Sequence, residues 1–353
     1  MKKSITFVAA LFVLIFASVG FSNAFSSEKI NAVKNDTLKL VVPEGWPKPY
    51  YDFTSNPITR QTFELGRKLF YDPILSEDST ISCSSCHLNY TNFTHVDHKV
   101  SHGIKGLKGT RNSLTLVNLA WSKFFMWDGG VNHIEVQPLA PIQSSVEMNS
   151  SLNIILPRLE RSAYYREKFK SAYGKESKIS SQNFLKALAG FMLALQSYDS
   201  KYDKVKRGEP NVSFSEAEAR GYELFKVHCN TCHTEPLFTN NGFENNGLEP
   251  DRIYADGGRI KITGKTRDSL KFKVPSLRNV ELSYHYMHDG RYGNLQMVLF
   301  HYNHAIANTI NLSPLLKKPM NMSEQDKNDV IAFLKTLTDE GFVRNPELGY
   351  PRD

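Results

Sequence analysis

Residues 83–87 read Cys-Ser-Ser-Cys-His, and residues 229–233 read Cys-Asn-Thr-Cys-His. The two stretches hold all four cysteines of the 353-residue chain. C-x-x-C-H is the attachment signature of c-type haem. Two cysteines three apart reach both vinyl groups of one porphyrin, and the adjoining histidine falls under the ring as the proximal iron ligand. A thioredoxin-like redox pair would want a βαβ setting, and no strong strand alternation occurs. Zinc-binding cysteine pairs usually sit much closer than Cys83 is to Cys229. The reading is two covalent haems, one on Cys83, Cys86 and His87 and one on Cys229, Cys232 and His233. No cysteine is left for a structural disulfide, and an exported domain of this size needs none.

The flanking sequence is helical. TRQTFELGRKLFYD (59–72) precedes the first motif with Phe63, Leu65, Leu69 and Phe70 as its apolar residues. SEAEARGYELFKVH (215–228) runs into the second, with Ser215 and Glu218 forming a capping box. Gly66-Arg-Lys-Leu-Phe70 and Gly221-Tyr-Glu-Leu-Phe225 echo each other, which predicts two related modules. Further helices are expected near 151–171 and 181–205, the latter a core helix because NFLKALAGFMLALQSY (183–198) is almost continuously apolar. A last helix starts at Ser323 and Asp326 and presents Val330, Ile331, Phe333, Leu334 and Leu337. Residues 72–150 and 235–270, rich in Gly, Asn, Ser and Asp, read as loop. The polar break KRGEPNVSFSE (206–216) divides a domain over 25–205 from one over 206–353. The fold class is mainly α, two cytochrome c-like haem domains with long loops.

The first 24 residues, MKKSITFVAALFVLIFASVGFSNA, read as a cleavable secretory signal peptide and place the mature protein in the periplasm. Their apolar core is short for a membrane span, and no later segment is apolar enough to be one. The formal charge is +7 from 43 basic and 36 acidic residues. Loss of Lys2 and Lys3 with the signal leaves a modest excess that favours an acidic protein partner or contact with a membrane surface. Basic runs interleaved with aromatics are absent, which argues against nucleic acid.

Two covalent haems leave an electron carrier and an enzyme open. A carrier saturates both irons; a peroxidase keeps one position open beneath an acid–base group. The polar stretch LFHYNH (299–304), on a helical apolar background, offers His301, Tyr302 and His304 as candidate ligands.

From residue 57 to about 340 the chain resembles the bacterial di-haem cytochrome c peroxidases, a family that includes the MauG-type enzymes. The resemblance is carried by LGRKLFYDPILS before CSSCH, then GTRN (109–112), MWDG (126–129), VQPLAPI (136–142), VEMN (146–149), FKVHCNTCH (225–233), FKVPSLRNVEL (272–282) and YMHDG (286–290). It implies a peroxide-reacting haem in the N-terminal half and an electron-transfer haem in the C-terminal half. Glu147 would be the distal acid–base group, Gln137 its neighbour, and Trp127 the residue between the haems. One calcium ion would be bound through Asn112 and the carbonyls of Ser283 and His285, although the family often has proline at the last position. Oxygen donors suit that ion.

Two departures from the family pattern bear on function. The distal histidine that closes the N-terminal haem in many of these peroxidases aligns with Ile104, which cannot bind iron. Either His102 substitutes by a shifted loop or the haem is permanently open as in MauG-type enzymes, and the open reading is preferred. His95 and His98 read as solvated loop histidines. Fourteen residues after His288, where the peroxidases have a methionine ligand, stands Tyr302, as in MauG-type enzymes. Tyrosinate favours ferric iron and lowers the potential relative to a thioether. Met297, His301 and His304 are its local rivals, with Met297 the strongest; Met287, Met320 and Met322 lie farther off. The expected activity is reduction of hydrogen peroxide with electrons from a small cytochrome c or cupredoxin. A MauG-type oxidase modifying a partner protein and a non-enzymatic di-haem carrier are the alternatives. A homodimer is expected from the family.

Overall fold

Eleven α-helices, short 3-10 turns and one pair of two-residue strands carry residues 37–352, the part of the chain that the computed structural model describes; the expected signal peptide lies outside these residues. The helices are α1 (Arg60–Tyr71), α2 (Leu139–Gln143), α3 (Leu152–Arg161), α4 (Ala163–Tyr173), α5 (Ser181–Leu193), α6 (Lys201–Lys206), α7 (Glu216–His228), α8 (Ile260–Thr263), α9 (Leu295–His304), α10 (Glu324–Lys335) and α11 (Glu340–Val343). Strands β1 (Phe243–Glu244) and β2 (Phe272–Lys273) pair antiparallel. The mainly α fold expected from the sequence is the one observed.

Helix starts follow the capping chemistry. Ser215 and Glu218 cap α7 reciprocally, and Ser323 and Asp326 do the same for α10. At α1 the box is Thr59 with Thr62. Two expected helices are shorter than the apolar pattern. The stretch over 151–171 divides at Ser162, whose hydroxyl caps α4. The core helix stops at Leu193 although the apolar run continues. There Asn118 captures the chain: its amide N–H donates to Leu195 O (2.8 Å), and its side chain bonds the backbone of Ser197 in both directions (2.9 and 3.0 Å). The backbone groups that would extend the helix are satisfied elsewhere.

Each half is built on one crossed helix pair, α1 on α5 and α7 on α10. The echoed glycines lie at the crossings. A Cβ at Gly66 would sit 2.0 Å from the Ala187 carbonyl oxygen, and one at Gly221 would sit 1.9 Å from that of Asp329. Phe191 and Phe333, one turn on from these contacts, are the next atoms met. The absence of a side chain is what lets each pair of backbones touch. Around the first pair lies a core of Phe63, Leu69, Phe70, Phe93, Phe184 and Phe191; around the second, one of Tyr202, Phe225, Phe238, Val330, Phe333 and Leu337. The C-terminal residues Phe342, Val343 and Leu348 join the first core, and Tyr71 donates its hydroxyl to Leu348 O (2.8 Å).

A second repeat follows each cysteine motif. Residues 113–130 and 274–291 match in backbone as well as in sequence. Asn118 and Asn279 are both left-handed (φ 56° and 57°), each opens a 3-10 turn, and Met126 and Met287 share φ of 67° and 72°. Trp127 in MWDG therefore corresponds to His288 in MHDG, and Asn112 to Lys273. The pairs exchange hydrogen bonds: the Asn112 amide donates to His288 O and the Lys273 amide donates to Trp127 O, both 2.7 Å. A buried network of Asn92, Asn279, Ser197 and Asp339 fastens the two halves (2.7–3.2 Å).

Candidate functional site

Among the described residues lie cavities of about 510 and 430 Å³, each in the size range of a small-molecule or cofactor site. Cys83, Cys86 and His87 line the first; Cys229, Cys232 and His233 line the second. Asn112, Ser113, Leu114, Thr115, Trp127, Lys273, Pro275 and Ser276 belong to both linings. The two exchanging segments of the repeat are thus a common wall.

Both histidines are held by backbone carbonyls in a way that suits metal ligation. His87 Nδ1 is 2.8 Å from Phe93 O, and His233 Nδ1 is 3.2 and 3.1 Å from Phe238 O and Pro275 O. A backbone carbonyl on Nδ1 fixes the tautomer with its lone pair on Nε2. Burial pushes both imidazoles down to about 4, so they are neutral, as ligation requires. Burial holds the thiols protonated, Cys83 up to about 12, Cys86 to about 11 and Cys229 to about 12. None of the four is in a disulfide. Largely apolar linings, with a thiol pair and an oriented imidazole in each, fit two porphyrins.

Glu147, Gln137 and Trp127 all line the first cavity. Burial raises the Glu147 carboxyl above its ordinary range; hydroxyls of Ser101 and Ser144 oppose this more weakly, and Ser101 Oγ is 3.4 Å from Oε1. The backbone positions this group: Ile104 N–H donates to Glu147 O (2.8 Å), and a Cβ at Gly103 would collide with the same carbonyl at 2.3 Å. Ile104 is fully buried and is not part of the lining. His102 is in the lining, with its ring 3.9 Å from that of His98. His98 is exposed, whereas His95, read as a solvated loop residue, is buried at 6% exposure. Gln137 Nε2 contacts the Met126 sulfur at 3.7 Å.

Tyr302 lines the second cavity. Its hydroxyl bonds the Asn246 side chain, and burial pushes its pKa up to about 12. Met297 is 43% exposed and outside the lining. His301 is buried with Nε2 2.9 Å from Asn246 O, and His304 faces solvent beside Asn303. Met287 and Met320 do reach the lining, while Met322 is buried away from it. Asn112, Ser283 and His285 all line this cavity, and His285 Nδ1 is buried without a hydrogen-bond partner.

Around Trp127 the wall also holds groups to which the sequence assigned no role. The Trp127 indole N–H donates to Asn112 O (2.8 Å), its ring lies 6.5 Å from that of His288, and His288 stacks on Phe272 at 3.7 Å. Arg111 bridges Asp128 and Asp256 at 2.6 Å each. The repeated M-x-D-G tetrapeptide was the available signal for His288.

Known proteins agree with this arrangement. Residues 60–211 match the family model for di-haem cytochrome c peroxidase, and 218–338 the model for cytochrome c. The methylamine utilization protein MauG of Methylorubrum extorquens is 34% identical, over 84% of this chain and 83% of its own length. Cytochrome c551 peroxidase of Nitrosomonas europaea is 32% identical, over 78% and 79%. A crystal structure of a MauG-like protein associated with microbial copper homeostasis superposes with a TM-score of 0.79 at 32% identity, over 89% of this chain and 99% of that one. The chain belongs to the di-haem cytochrome c peroxidase family that includes MauG, and it carries two covalently bound c-type haems.

Proposed function

We propose that the protein is a periplasmic peroxidase that reduces hydrogen peroxide, H2O2 + 2 e⁻ + 2 H⁺ → 2 H2O, with electrons from a small cytochrome c or cupredoxin. Cys83, Cys86 and His87 would hold one haem, Cys229, Cys232 and His233 the other. When bound, the haem on His87 supplies the iron that meets peroxide, and the haem on His233 supplies electrons.

The observation that carries this reading is the Glu147 carboxyl, half-buried in the lining of the same cavity as His87 and held above its ordinary pKa. Splitting the O–O bond unevenly requires one proton to move from the inner to the outer oxygen, and a carboxyl held in the same lining can carry it. Ser101 orients Oε1, and Gln137 adds an amide to the same lining. Trp127, in the common wall, is the aromatic group placed between the sites. Asn112, Ser283 and His285 would bind calcium beside it. Glu147→Gln, which keeps the shape and loses the acid, should lower peroxide turnover with reduced cytochrome c by about 10²-fold or more, with both haems retained. Full activity in that variant excludes the assigned role; absence of turnover in the wild type, with six-coordinate spectra for both irons, leaves a carrier.

Tyr302 favours a second reading, a MauG-type oxidase acting on a partner protein, because it lines the second cavity, at the position the family resemblance gives to the ligand, while Met297 is exposed and outside that lining. Electron paramagnetic resonance of ferric wild type against Tyr302→Phe tests it. Tyrosine ligation predicts a changed low-spin signal in the variant; an unchanged signal rules it out.

A further inference from the structure

Lys273 is buried at 9% exposure and is part of the lining of both cavities. Among the described residues its ammonium makes no hydrogen bond and no ion pair. The other cations in the linings differ. Arg111 is committed to Asp128 and Asp256, Lys261 to Asp256 (2.9 Å), and Lys318 is exposed. Burial alone lowers the Lys273 pKa, to about 8, with no acidic group opposing it. An ammonium taken out of water without a counter-ion is expensive, so a buried amine either gives up its proton or keeps it beside an anion.

Haem brings such anions, since each porphyrin carries two propionate carboxylates. The backbone pins Lys273 in place through its amide bond to Trp127 O (2.7 Å) and through β1–β2 pairing opposite Phe243. The repeat sharpens the point. The corresponding residue on the other side of the wall is Asn112, a neutral amide, so the wall's positive charge comes from one side only.

We propose that Lys273 is the shared counter-ion for propionates of both haems, and that its charge raises the reduction potential of both. This needs only the two haems, and it holds whether the enzyme is a peroxidase or an oxidase.

The test is a spectroelectrochemical titration of haem-loaded Lys273→Met and Lys273→Arg against wild type. A nearby positive charge favours the ferrous form, so both midpoint potentials should fall in Lys273→Met and stay near wild type in Lys273→Arg. Unchanged potentials, or a fall at one haem only, overturn the proposal. Should Lys273→Met fail to load haem, resonance Raman spectra of Lys273→Arg decide. The propionate bending bands of both haems should move from their wild-type positions, and unmoved bands overturn the proposal.

Discussion

Replacing Gly221 by alanine tests the helix crossing that sets the second haem motif. The new Cβ would lie 1.9 Å from Asp329 O and 2.4 Å from its carbon, where real Cβ atoms stay beyond 3.0 Å. Reaching that limit requires α7 and α10 to part by roughly 1 Å. A gap of 0.5–1 Å forfeits a quarter to a half of each dispersion contact, worth about 0.1–0.2 kcal/mol apiece, and a large buried side chain makes about 40–60 of them. If Phe225 and Phe333 each lose the lower fraction, the loss is about 3 kcal/mol. Alanine returns about 1 kcal/mol of helix propensity. The net destabilisation is about 2 kcal/mol, in line with overpacking elsewhere. Urea unfolding of the haem-loaded variant, followed by far-UV circular dichroism, measures it. Gly66→Ala should behave alike. Gly190→Ala is the control: it lies in α5, where a Cβ would meet nothing closer than Ile58 at 3.9 Å, so helix propensity should leave it neutral or slightly stabilised. Gly221→Ala matching that control would refute the close-contact argument.

Arg278 is fully buried and donates to both oxygens of Asp203 (2.8 Å each) and to Pro236 O. Arg278→Leu strands the carboxylate and should cost about 3–5 kcal/mol in the same unfolding assay. The Arg111 guanidinium holds Asp256 well below the usual carboxylate range despite burial. A lowered native pKa gives stability that is complete above the unfolded value, about 3.9, and lost as pH falls towards the native one. The urea midpoint should therefore decline with acid below about pH 4, less steeply in Asp256→Asn; equal slopes would deny the linkage. Met297→Leu, at an exposed position off the cavity, should leave the low-spin electron paramagnetic resonance signal unchanged and shift stability by no more than about 0.5 kcal/mol; loss of that signal would restore Met297 as the ligand.

Legibility from the sequence followed the range of the interaction. Two covalent haems, helical modules and the capping boxes of α7 and α10 were all readable, because adjacent residues impose them: cysteine spacing matches a porphyrin edge, and Ser215 reaches only as far as Glu218. Glu147 and Gln137 were named through resemblance, since nothing local marks a carboxyl or an amide as facing a cavity, and Tyr302 stood out from His301 and His304 only through the same resemblance. Tertiary structure alone decided the rest. It ended α5 at Leu193, because Asn118, far away in sequence, offers the backbone better partners than another helical turn. It turned Met297 outward and His95 inward. It also brought Asn112, Trp127 and Lys273 into one wall between two cavities, so that a lysine in a two-residue strand became a buried charge facing both. Burial and long-range pairing are properties of the folded chain, and no local pattern encodes them.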